Sequence, residues 1–487
     1  MVGPSLKRNA TSSIATLAAF ALVAVAVFVA TSGNATNDRL LSRARAERVE
    51  QATATERRLN AVDQARQVDR LGQTGPLASA PPAGWAGEQL ASPTDDDWEP
   101  AIAAAPTSPW VYMLTTRYTG PNACGNRCPT PFIVLRRSDD GGLTWKPDQF
   151  LCECAGQRGQ FDPIIEVVPG TGSVYSVWMN DFDVFFTKST NNGATWSAPV
   201  KTYGKVAWND KPVLAVSDDG QHVYLAWNGP SGGDPYIAQS HDAGATWTQM
   251  KVVNSTRYYF AFDGDVLADG TVVFSQSSVS YTGPGASAEG QVQVHAIRST
   301  NQGSTWSNIV LDSVELGSPC VASGCSEDYY LGHSAVSADA TGALVMLYDG
   351  ATTAGGPQTI WSRRSSDGGA TWSNRTALST TGSFASFPAM ESRGAGDVRA
   401  FYMQQDGGPD AWNVWYRSST DGGVSWSSPV KISDATGGTA YKTAIGFREP
   451  YGDYGEAAIT NTGRFIGVWG EGDSYTGPGG VWINRQL

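Results

Sequence analysis

Two short segments concentrate groups suited to acid–base and nucleophilic chemistry. One carries Glu327, Asp328, Tyr329, Tyr330 and His333; the other carries Arg448, Glu449, Tyr451, Asp453, Tyr454 and Glu456. Their polar density exceeds what a loop leading into a strand requires. A carboxyl there can give or take a proton, and a tyrosine beside it (Tyr454 with Asp453 and Glu456, Tyr330 with Glu327 and Asp328) can serve as nucleophile or base. Carboxylates and amides fix sugar hydroxyls and aromatic faces stack on pyranose rings, so the expected ligand is a glycan. Glycoside cleavage generally needs two carboxyls, about 5–5.5 Å apart for retention or about 6.5–9.5 Å for inversion. Each candidate has a structural alternative: an acid can bridge loop backbones, His333 can line a channel, and the tyrosines can pack. No P-loop, dinucleotide fingerprint or G-x-S-x-G elbow occurs. Four histidines dispersed along the chain argue against a His-rich catalytic metal centre. No cofactor is expected, although a structural calcium stays open.

A repeat positions these groups. The pattern S-x-D/N-x-G-x-T/S-W occurs at Ser138–Trp145, Ser189–Trp196, Ser240–Trp247, Ser299–Trp306, Ser365–Trp372 and Ser419–Trp426. Six matches at five fixed positions are not chance. The tryptophans are 51, 51, 59, 66 and 54 residues apart, the size of one propeller blade. In each match an Asp or Asn accepts turn N–H groups, a glycine supplies a backbone conformation other residues resist, and the Trp anchors the turn on a neighbouring sheet. Seven segments read as innermost strands, beginning near Trp98, Phe161, Asn209, Phe262, Gly332, Phe387 and Tyr454. The seventh unit ends at its third strand. The expected fold is therefore an all-β propeller of seven four-stranded blades, with six blades as the alternative. Residues 85–91 are expected to close the last blade, because an open ring exposes unpaired backbone.

The repeat resembles the Asp box of bacterial neuraminidase repeats, and residues 85–487 resemble the sialidase superfamily. The resemblance implies that the Asp boxes lie opposite the ligand face. That face is then built by loops leading into the innermost strands and by the second-to-third loops. It selects Glu99, Asp162, Asp210, His333, Arg448 and Glu456 from the former, and Arg117 and Trp412 from the latter. The catalytic set is expected to be Tyr454, Asp453, Glu456, Glu327, Asp328 and Tyr330, imitating the family's tyrosine–carboxylate pair, with the rest binding substrate. Sialidases clamp their anionic sugar with three arginines. Here Glu99 stands at the first of those positions, leaving Arg117 and Arg448, with Arg257 nearby. A secreted or surface glycoside hydrolase is the reading, and a non-catalytic carbohydrate- or protein-binding propeller is the alternative.

The other segments set the compartment. Lys7 and Arg8 precede an uncharged run over 14–30, so residues 1–35 read as a signal peptide or membrane anchor. Residues 36–72 read as a charged helical stalk, and 73–84 as a Pro/Gly/Ala linker. Cys124, Cys128, Cys152, Cys154, Cys320 and Cys325 suit disulfides in an exported protein. The formal net charge is −12 although residues 1–72 are net basic, so the body is strongly acidic and nucleic acid is not an expected partner. A monomer is expected.

Overall fold

The computed structural model describes residues 79–92, 95, 97–117, 131–151, 159–206, 209–229, 233–281, 288–317, 332–407, 411–439, 455–472 and 479–487. The expected signal or anchor, the stalk and all six cysteines lie outside them, as do Glu327, Asp328, Tyr330, Arg448, Asp453 and Tyr454.

Every assigned strand pairs antiparallel. Among the described residues the pairs assemble into seven four-stranded meanders, five as separate sheets and two sharing a sheet through the single pairing Glu315↔Ala351. The first strands are Asp97–Ala104, Gln160–Val167, Asp210–Val216, Tyr258–Val266, Ser334–Ala338, Ala385–Ser392 and Glu456–Ile459. Each packs beside the first strand of the next meander, and the seventh returns to the first, so the ring closes and the meanders are the blades of a propeller. The second strands read as near-continuous apolar runs because they are covered on both faces. Val111–Arg117, Val174–Asn180 and Val223–Asn228 are buried throughout.

Closure comes from the amino-terminal side. Gln89 and Leu90 pair with Ile483 and Trp482, and Trp85 bridges Gln486, completing the last blade. Trp85 packs edge-on against Tyr416 at 4.9 Å and Phe465 at 6.0 Å. The expected closing strand is therefore present. In the described part of the expected linker 73–84, Ser79 N–H donates to the Asp434 carbonyl at 2.6 Å, and just after it Trp85 N–H turns back to the Pro82 carbonyl at 3.1 Å.

The Asp boxes behave as their chemistry demands. In Ser240–Trp247, Asp242 accepts the Thr246 N–H at 2.8 Å and the hydroxyls of Thr246 and Ser240 at 2.6 and 2.7 Å. These bonds, the Thr246 hydroxyl foremost, hold its carboxyl near a pKa of about 2. Gly244 has φ +81°, and a Cβ there would collide with Phe186 of the preceding blade, so glycine is needed twice over. Trp247 packs on that same Phe186 at 5.3 Å. A second rule links blades: a cation just before one box caps a carbonyl in the next. Arg137 donates to Asn192 and Lys188 to Ala243, both at 2.8 Å. Arg485 of the last blade donates to Gly141 of the first at 2.8 Å, carrying the rule across the closure.

Candidate functional site

In a four-stranded meander the third-to-fourth turn lies at the end where the first strand finishes. The Asp boxes therefore occupy one end of the propeller, and the heads of the first strands occupy the other. There, four first strands bulge at matching positions. Glu99, Asp162, Lys211 and Phe387 have φ of 52°, 49°, 49° and 58°, each before a proline and each at a break in register. Left-handed φ on such residues costs about 1–3 kcal/mol apiece and collects at functional surfaces. The prolines are tolerated because the first strand is a sheet edge whose free side faces the axis.

That free edge exposes backbone N–H groups, and carboxylates of neighbouring blades accept them. Glu99 accepts the Asp162 N–H at 3.1 Å. Asp263 accepts Val336 at 3.0 Å, Asp265 accepts Ala338 at 2.7 Å, and Glu456 accepts Ile102 at 2.8 Å. Glu456 and Asp263 hold equivalent places in blades seven and four, each serving the following blade. With Glu166 and Glu391 they line an axial cavity of about 290 Å³. Burial, the leading cause, raises Asp263 to a pKa of about 7 and Asp265 to about 6. It also pushes Glu166, Glu391 and Glu456 well above the ordinary carboxyl range, with neighbouring carboxyls adding to the shift. At the far end of the cavity Arg393 reaches the carbonyls of Thr460 and, at 2.8 Å, Pro106. Residue types alone did not single out Glu166 and Glu391. The signal was available in the alternation of the first strands, where they share the register position of Asp265.

The other anticipated residues divide by surroundings. His333 is buried between Phe262 and Phe387, ring centres 5.0 and 4.7 Å away, with Nδ1 3.4 Å from Asp349. Asp349, fully buried, accepts the Ser386 hydroxyl and the Phe387 N–H, so one carboxylate ties blades five and six. Asp210 accepts Asn228, which also donates to the Tyr258 hydroxyl at 3.1 Å.

Two expectations need correction. Arg117 does not present its guanidinium to a ligand. It is 2% exposed and bound to Asp97 at 2.6 and 2.9 Å and Asp148 at 2.7 Å, with Asp95 at 3.3 Å. Trp412 is not a stacking platform. It is 2% exposed, in the core cluster that also holds Tyr416 and Trp469, and its backbone bridges Thr439. Arg257 is engaged with Ser278, Ser280 and the Gln291 carbonyl. Arg448 lies outside the described residues.

No protein-family model matches the chain, and no curated protein matches it. Solved structures similar to it include the Hadza microbial sialidase Hz136, at 16% identity over 80% of this chain with a TM-score of 0.39. The chain spans 65% of that sialidase's length. An ulvan lyase of polysaccharide lyase family PL25 is 11% identical over 84% of this chain and 95% of its own, TM-score 0.47. The intramolecular trans-sialidase from Ruminococcus gnavus is 14% identical over 85% and 98%, TM-score 0.42. The architecture assigned to this chain rests on its strand pairing and its Asp boxes.

Proposed function

We propose that this chain is an extracellular glycan-active propeller, a glycoside hydrolase working at the end opposite its Asp boxes. Glu456 is the observation that carries the reading. It heads the innermost strand of the last blade, directly after the polar segment 448–454, and burial keeps its carboxyl protonated well above the usual range. A general acid for glycosidic cleavage needs that protonation state. The base or nucleophile would come from Asp453, Tyr454 or the Glu327–Tyr330 segment. The bulged strand heads of blades one, two, three and six support the same face. A screen of neutral and acidic glycans for released sugar, using wild type with Asp453→Asn and Glu327→Gln, tests it. Release by wild type, lowered in at least one variant, is expected.

A second reading, binding without turnover, draws on one specific observation. Glu99 and Arg117, two of the anticipated ligand contacts, are already engaged by protein groups. Glycan retention on an affinity array with no product from any substrate would favour it.

A further inference from the structure

Two of the four histidines in the chain meet at the Asp-box end of the third blade. Antiparallel pairing sets Val223 opposite Ser240, so His222 and His241, one step further out, face each other across the hairpin. Their Nδ1 atoms are 2.8 Å apart, with ring centres at 5.0 Å. The same cross-strand step in the other five box hairpins holds Trp110 with Asp139, Ser173 with Thr190, Thr271 with Thr300, Ala343 with Ser366 and Asp397 with Thr420. Fold geometry alone therefore does not ask for imidazoles here.

We propose that His222 and His241 form a surface chelate for a divalent first-row transition metal, binding through both Nδ1 atoms. Metal–imidazole bonds are about 2.0–2.1 Å, so nitrogens 2.8 Å apart subtend about 86° at the metal. That is the angle between neighbouring positions of a square or octahedral ion, which suits copper(II) or nickel(II) better than tetrahedral zinc. The Nδ1–Nδ1 contact needs a proton on one of the two nitrogens, and metal binding moves that proton to Nε2 of the same ring. The turns on either side hold the donors in place. His222 N–H is fixed by the Ser217 hydroxyl at 3.0 Å, and His241 lies within the Asp242 box. Asp219 and Asp242 fix the two turns by accepting the Ser217 and Ser240 hydroxyls, both at 2.7 Å. Among the described residues no cluster of three or more metal-ligating side chains exists, so the proposed chelate rests on the two imidazoles.

The test uses the untagged full chain, stripped with chelator. Copper(II) titration followed by electron paramagnetic resonance should show one site per chain with hyperfine coupling to two imidazole nitrogens. His222→Ala and His241→Ala should each weaken that site about tenfold or more and leave at most one coupled nitrogen. His241 is exposed and His222 half-buried at a strand end, so circular dichroism of the variants should match wild type. Retention of the two-nitrogen signal in the double variant, or its absence in wild type, would overturn the proposal.

Discussion

At the scale of single residues, charge placement separates scaffold from chemistry. Arg117 lies in a cage of carboxylates drawn from the lead-in to blade one (Asp95), its first strand (Asp97) and its outer edge (Asp148). Removing one member of a buried pair leaves an uncompensated charge, which typically costs about 3–5 kcal/mol. Arg117→Met should therefore lower the unfolding free energy by about 3–5 kcal/mol, read as a lower denaturant midpoint, while leaving glycan affinity unchanged. An unchanged midpoint, or selective loss of affinity, would return Arg117 to the ligand face. Its true role was hidden in the sequence because its partners lie up to 31 residues away and meet it only when the blade folds. The His222–His241 pair was hidden in the same way. Nineteen residues apart in the chain, the two become neighbours once the box turn sets the register.

At the scale of elements, the box hairpins were readable because each is a local circuit in which one acid, two hydroxyls and a glycine satisfy each other. The closing strand was readable by count, since six boxes served seven units. The bulges at Glu99, Asp162 and Lys211 were not. A residue before proline ordinarily takes an extended backbone, and only blade packing imposes the left-handed one. Trp412 was misread for a related reason, because its burial comes from tertiary packing and its backbone bridges Thr439, 27 positions later, which no local pattern shows. Trp85 is 6% exposed in the final core cluster. Trp85→Ala should cost ~3–5 kcal/mol and speed unfolding, because the ring then loses its latch. A loss under about 1 kcal/mol in a urea melt would show that closure does not depend on this contact.

At the scale of the whole molecule, seven sheet edges converge on an axis lined with acids, and stability should depend on pH accordingly. Asp263 and Asp265 titrate near 7 and 6 when folded but near 4 when unfolded. Between those values the folded chain holds protons that the unfolded chain has released, so the stability these acids contribute is full below about pH 4 and is lost as pH rises through roughly 4 to 7. Glu166, Glu391 and Glu456 act in the same direction. Melting temperature should decline over that window, and Glu391→Gln should flatten the decline. A melting temperature that rises with pH would mean the axial carboxyls are ionised and compensated.

The proposed hydrolase reading depends most directly on Glu456. Its amide analogue keeps an acceptor for the Ile102 N–H but has no proton to give, so Glu456→Gln separates scaffold from chemistry. The decisive measurement is kcat against pH for wild type and Glu456→Gln on the best substrate from the glycan screen, with a melting curve at alkaline pH beside it. The account predicts that the variant is at least as stable as wild type, turns over roughly 100-fold more slowly and loses the alkaline limb of the profile. Unchanged turnover in a folded Glu456→Gln protein, or no turnover by wild type on any glycan, would contradict it.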